Sequence, residues 1–102
     1  MATRFIRVSQ GYLSTTTTRY VTVNSSLATQ VIMNTGYSAI RLFNQGSTPL
    51  VWGDSSIAVN SGNYLYPSAS IEWNPVQDNF SFYVISDSVG TIGIAEITEY
   101  RQ

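Results

Sequence analysis

Apolar residues in this chain come in runs of three to six, separated by clusters of Gly, Asn, Asp, Ser and Pro. Runs this short, rich in Val, Ile, Tyr, Phe and Trp, suit pleated half-buried strands and fall short of the length a helix needs. Arg4–Ser9 alternates Ile6 and Val8 against Phe5 and Arg7 and reads as a first strand. Gln10–Arg19 holds four consecutive threonines, 15 to 18, whose branched side chains are stiff at χ1 and favour extended chain. That stretch reads as a strand edge or as an arm lying on a neighbour. Tyr20–Val23, Ala28–Met33 and Ser38–Asn44 follow, with turns at Asn24-Ser25-Ser26 and Asn34-Thr35-Gly36.

Pro49–Gly53 comes after Gln45-Gly46-Ser47, so Ser38–Asn44 and Pro49–Gly53 are expected to pair as a hairpin. A second hairpin is expected from Ser56–Val59 and Tyr64–Tyr66 around Asn60-Ser61-Gly62-Asn63. Gly supplies positive φ in such turns, while Asn and Asp bond their own backbone. Ser70–Trp73 ends at Asn74-Pro75. Phe80–Ser86 is the most apolar run and is placed centrally in a sheet. Thr91–Tyr100 is a long last strand in which Ile92, Ile94 and Glu96 share one parity, and Gly93 marks a bulge or a close backbone approach. About eight to ten short strands at this spacing predict an all-β fold, an antiparallel β-sandwich or a jelly-roll-like barrel. The 102 residues fit one domain, 1–102, with residues 1–19 as an extended N-terminal strand or arm.

Charge changes the picture. Only 11% of residues are charged, against roughly 25% in ordinary soluble domains. Lysine is absent; the cations are Arg4, Arg7, Arg19, Arg41 and Arg101, and 25 Ser plus Thr with seven Asn take the place of charge. One reading is a surface wetted by hydroxyls and amides. The other is that much of the surface is covered, because interfaces are depleted in Lys and Glu while keeping Arg and aromatics. A net charge of −1 also leaves little repulsion between copies. Together these favour an obligate oligomer or a member of a larger assembly. With no cysteine, neither disulfides nor thiolate metal sites are available. No run approaches the ~20 apolar residues that span a bilayer, and Met1-Ala2-Thr3 reads as a cytoplasmic start.

Enzyme chemistry finds few groups to work with. There is no histidine for an imidazole base, a catalytic triad or a metal site, and no lysine for a Schiff base or a phosphate loop. Glu96 and Glu99 differ in strand parity, so a regular strand points them to opposite faces. Asp54, Asp78 and Asp87 sit in expected turns. For all of these carboxylates the plain reading is a turn or rim residue. Paired carboxylates for glycoside hydrolysis have nothing specific behind them, nor does a calcium site from Asp54, Asp87 and loop carbonyls. The expectation is a protein that is not an enzyme and uses no cofactor or metal.

Five scattered arginines in a chain of pI about 5.0 do not make a nucleic-acid stripe. Arg4 and Arg7, flanking Phe5, read either as a charged strand edge or as a fork for carboxylates on a partner. Tyr37, Trp52, Tyr64, Tyr66, Trp73 and Tyr83 are candidates for a sugar-stacking platform, with Trp52, Tyr64 and Trp73 foremost. Aromatics are equally ordinary core and interface material, each burying about 150–250 Å².

The stretch Phe43-Asn44-Gln45-Gly46-Ser47-Thr48-Pro49-Leu50-Val51-Trp52-Gly53-Asp54-Ser55-Ser56-Ile57-Ala58-Val59, followed by Leu65 and Pro67, resembles small β-domain virion proteins of tailed bacteriophages. The likeness continues through Tyr83-Val84-Ile85-Ser86, the turn Asp87–Gly90 and Ile94-Ala95-Glu96-Ile97, covering roughly residues 40 to 97. Where that pattern has Pro-Gly, this chain has Pro67-Ser68. The resemblance implies a non-enzymatic capsid decoration (cement) protein or related head accessory subunit. It would be a homo-oligomer, commonly a trimer, made in the host cytoplasm and seated on the major capsid protein at the outside of the virion. Many weak contacts sum by avidity in such an arrangement. On this reading Arg4, Phe5 and Arg7 carry partner contacts. The alternatives are a carbohydrate-binding module on a fibre or host-facing tip, using Trp52, Tyr64 or Trp73, and a tail or head–tail joining subunit.

Overall fold

The computed structural model describes residues 15–101. Eight antiparallel strands run through them: β1 (Thr15–Val23), β2 (Thr29–Ile32), β3 (Ala39–Asn44), β4 (Leu50–Gly53), β5 (Asn63–Leu65), β6 (Ser70–Trp73), β7 (Ser81–Ser86) and β8 (Gly93–Arg101). Two four-stranded sheets result, one in the order β1-β8-β3-β6 and one in the order β2-β7-β4-β5. Apart from β4 to β5, every connection carries the chain from one sheet to the other. That alternation is the strand order of a jelly roll, a β-sandwich built from two interlocked Greek keys. Among the described residues there is no helix.

The core lies between the sheets. Ile40 and Leu42 of β3, Ala95 and Ile97 of β8, Leu50 of β4 and Val84 of β7 are fully buried in it. Each strand contributes alternate residues, as a period of two demands when one face packs and the other meets water. In β8 the buried parity is the odd one, Gly93 through Glu99, so Ile94 and Glu96 point outward. Gly93 is the close approach that its position suggests: a Cβ there would lie 2.6 Å from Leu50 Cδ2. β7 is interior to its sheet, between β2 and β4, as its apolar run predicts.

Two local expectations need correction. β3 and β4 do not form a hairpin; they belong to different sheets. The inward side chain of Asn44, 1% exposed, explains the switch. Its Nδ2 donates to the carbonyls of Thr48 and Leu65, both at 2.9 Å, and its Oδ1 accepts from Gly46 N. The turn is thereby tied across the sandwich, leaving β4 free to pair with β5 and β7. Ser56–Val59 is not a strand either. Only an isolated bridge, Ala58 to Ser61, forms there, and the hairpin is β4–β5 with a long loop between. The strand expected over Arg4–Ser9 lies outside the described residues. The threonine run, by contrast, is part of β1 and lies at a sheet edge.

At Pro67-Ser68 the turn closes with Ala69 N donating to Tyr66 O at 3.0 Å. Ser68 takes a φ of +68°, the left-handed conformation that glycine adopts there without steric cost. The loop over residues 54–62 folds back onto the outer face of β4. It covers Val51 and its cross-strand neighbour Ile85, which are 0% and 4% exposed on the face away from the main core. Ile57 caps this small second cluster, close to Gly53 and Gly62.

Candidate interaction surface

The outer face of the first sheet carries exposed residues of β1, β6 and β8. Register places Thr18, Thr98, Arg41 and Glu72 in one row across its four strands, and Tyr20, Glu96, Phe43 and Ser70 in the next. Thr22 lies opposite Ile94, and Thr16 opposite Tyr100. Hydroxyls and aromatics therefore dominate, with Tyr20 63% and Ile94 42% exposed. Three charges share the face, Arg41, Glu72 and Glu96, and the Arg41 guanidinium sits 5.3 Å from the Phe43 ring centroid.

The edges of the sandwich differ sharply. β2, β5 and β6 are edge strands of four, three and four residues, short enough to discourage stray pairing. β1 is also an edge, yet it has nine residues, no proline and one charge, Arg19. That charge does not protect the edge, because it turns inward.

Arg19 belongs to a buried polar cluster that sequence reasoning missed. Glu99, read as a rim residue, is 1% exposed. Its Oε1 accepts from Arg19 Nη1 at 2.9 Å, Asn34 Nδ2 at 2.8 Å and Thr17 Oγ1 at 3.3 Å, and its Oε2 accepts from Asn34 N at 2.8 Å. Arg19 Nη2 also donates to Ile32 O at 2.8 Å. The carboxylate thus ties β8 to β1 and, through Arg19 and Asn34, to the end of β2 in the other sheet. Both of its oxygens are engaged from within the fold, which makes it a clasp for the sandwich edge. Parity did separate Glu99 from Glu96, which is outward and half-buried.

The other candidates separate in space. Asp54 Oδ1 accepts from both the hydroxyl and the backbone N–H of Ser56, inside its own turn. Those bonds, the hydroxyl first, hold its carboxyl below the ordinary aspartate value. A depressed folded value means that the contribution is complete above the ordinary aspartate range and disappears as pH falls through the folded value. A carbon-detected NMR titration should therefore show Asp54 titrating low, and Ser56→Ala, which keeps the backbone N–H donor, should raise it part of the way back; an unchanged Asp54 in that variant would contradict this origin. Asp87 Oδ1 accepts from Asn60 N at 2.8 Å, pinning the covering loop to the end of β7. Asp78 lies in the turn before β7. Among the described residues no three acidic groups gather in a metal-binding cluster.

The platform of Trp52, Tyr64 and Trp73 is not assembled. Trp52 points into the sandwich, meeting Trp73 edge-on at a centroid distance of 5.2 Å, and Trp73 stacks on Phe82 at 4.9 Å. Tyr64 is opposite Val51 in register, so it lies on the other face of the same sheet. It is paired instead with Tyr66, at 6.0 Å and an interplanar angle of 31°. These two are exposed, and Tyr64 Oη donates to Asn60 Oδ1 at 3.1 Å. Partial desolvation, then the charge of Asp87 and the neighbouring Tyr66, raises the Tyr64 phenol above its ordinary value. Tyr37 is half-buried under the Arg101 guanidinium, 5.1 Å from its ring centroid, and Tyr83 is half-buried on β7. Arg4, Phe5 and Arg7 lie outside the described residues.

The outward residues Thr16, Thr18, Tyr20 and Thr22 were readable from strand parity once the threonine run was joined to Tyr20–Val23 as a single strand. Neither a scan against protein-family models nor a search of curated proteins finds a match.

Proposed function

We propose that the protein is a non-enzymatic structural subunit of a tailed-phage particle, a decoration or cement protein that binds the major capsid protein on the outside of the shell and stabilises it. The observation that carries this reading is the first sheet's outer face, rich in hydroxyls and aromatics, joined to the nine-residue edge of β1. Surfaces rich in aromatics suit subunit contact, and the chain as a whole is only 11% charged. The resemblance over residues 40 to 97 points the same way, and the jelly-roll order is one that virion proteins share with lectin-type domains. Fold alone does not decide between them. In this reading the subunits form a closed homo-oligomer, a trimer; Arg4 and Arg7 pair with carboxylates on the shell, and Phe5 between them adds an apolar partner contact.

Co-sedimentation with empty capsids of the parent phage tests it. Full-length protein should pellet with the capsids, and a chain lacking residues 1–9 should stay in the supernatant while keeping its β signature in circular dichroism. Unchanged capsid affinity of the shortened chain would remove the arm from the mechanism. No binding by the full chain would remove the capsid reading and leave a tail or head–tail joining role.

One observation favours a second reading. Tyr64 and Tyr66 are an exposed aromatic pair beside Asn60 and Asp87, an arrangement that can stack on the apolar face of a sugar while amide and carboxylate groups bond its hydroxyls. A carbohydrate-binding role on a fibre or host-facing tip would use this pair, not Trp52 and Trp73. Glycan-array binding that vanishes with Tyr64→Ala or Tyr66→Ala would establish it; no binding by the wild type would end it.

A further inference from the structure

The edge of β1 has a match within the chain itself. We propose that Arg4–Ser9 of one copy adds as a strand to the free edge of β1 in a second copy, along Thr18–Val23. This deepens the oligomer in the preceding reading and rests on it for its biological setting.

The acceptor is the outer edge of β1. Among the described residues β1 pairs with β8 on one side only, and its backbone donors and acceptors along the other side can receive an extended segment. The three other edges are too short to serve equally. The inward turn of Arg19, held by Glu99 and by Ile32 O, removes the one charge that could repel an incoming strand. Outward from the sheet, Thr18, Tyr20 and Thr22 offer hydroxyls and one ring as neighbours for the added strand.

The donor follows from sequence and length. Fourteen residues precede β1, and Arg4–Ser9 is the stretch among them with strand alternation. Extended, fourteen residues reach about 45 Å, well beyond the 25 and 21 Å short axes of the domain. Fold-back onto the donor's own β1 covers the wrong stretch. A tight reversal at Gln10-Gly11 sets Ser9 opposite Tyr12 and Arg4 opposite Thr17, leaving Thr18–Val23 bare. Even a wide loop over residues 10–14 brings Arg4 no further than Tyr20. With the tight reversal, the six residues Thr18–Val23 are left to a second copy, and Arg4–Ser9 has the same length. Each subunit can then give one strand and take one, a head-to-tail exchange that closes into a ring when the rotation allows.

The chain has no cysteine, so engineered thiols report without background. One preparation carries a single thiol in the donor segment (Phe5→Cys, Ile6→Cys or Arg7→Cys). A second, with a larger tag, carries one thiol on the acceptor (Thr18→Cys, Tyr20→Cys or Thr22→Cys). The two are mixed, partly unfolded and refolded together, then oxidised. Tagged–untagged disulfide dimers in at least one donor–acceptor pairing, including one with position 22, are the expected result. In parallel, removing residues 1–9 should reduce the solution mass to that of a monomer with the melting temperature little changed. A third preparation carrying both thiols in one copy is oxidised alongside; cross-links that form only within its single copies would overturn the proposal in favour of fold-back. So would the absence of cross-links in every pairing, or an oligomer that survives the deletion. Failure of capsid binding with the cross-links intact would sink the capsid reading alone.

Discussion

Replacing Glu99 by alanine is expected to destabilise the domain by about 3 kcal/mol, the lower end of the range for breaking a buried ion pair. The lower end applies because the Arg19 side chain is 34% exposed and recovers some hydration when its partner is lost. Asn34 and Thr17 are exposed as well, but both amide donors of Asn34 lose the carboxylate that fixes them across the sandwich edge. For a domain of this size that corresponds to a fall in melting temperature of about 12–20 °C. A double-mutant cycle with Arg19→Ala identifies the cause. The Arg19 substitution should cost less in the Glu99→Ala background than in the wild type, because the two groups act as one clasp. Strict additivity, or an unmoved melting temperature, would show that the cluster is not what joins the two sheets at this edge.

Gly62→Ala is expected to be nearly as damaging, by about 2–4 kcal/mol. Two costs coincide at this position. The φ of +148° is one that L side chains rarely adopt, and an added Cβ would collide with Val51 Cγ1 while lying 3.1 Å from Ile57 Cγ2 and 3.2 Å from Trp52 O. Neither neighbour has room to move, since Val51 is fully buried under the same loop. The loop over residues 54–62 must lift, exposing Val51 and Ile85. Hydrogen exchange should accelerate in β4 and β5 before the rest of the sandwich. Gly90 supplies the comparison: its φ is +81°, but an added Cβ meets nothing within 4 Å. Gly90→Ala should therefore cost only about 1–2 kcal/mol, the price of the left-handed backbone. If Gly62→Ala were no worse than Gly90→Ala, the covering loop would not be packed as described.

These two positions also show what a linear reading of the chain reaches. Strand existence was readable because each element carries its own alternation: the inward set Ile40 and Leu42 of β3 and the central run of β7 are visible locally. Gly93 announced a close approach by its place inside a strand. Sheet membership was not readable. Gln45-Gly46-Ser47 is good hairpin chemistry, yet β3 and β4 part there because Asn44 bonds Leu65, twenty-one residues away. Pairing partners of this range are set by the whole sandwich, not by the turn.

The polar cluster escaped for the same reason. Glu99 is buried by Arg19 and Asn34, which lie 80 and 65 residues earlier. A glutamate near the end of a last strand looks like a rim residue until those partners are placed. Trp52 and Trp73 illustrate the converse. Their residue type suggested a ligand platform, and inward parity on two different sheets turned them into core. Tyr64, of opposite parity to Trp52, stayed on the surface. Of the expected contact residues Arg4, Phe5 and Arg7, the sequence supplies the chemistry, and the described structure supplies the edge on which a neighbouring strand could lie.

The central claim is that this domain works as one copy among several, the edge of β1 and the outer face of its sheet being contact surfaces. Absolute mass in solution, by light scattering behind a sizing column, tests that most directly. The account predicts a sharp closed oligomer, a trimer, that persists on dilution. A clean monomer at high concentration would contradict it.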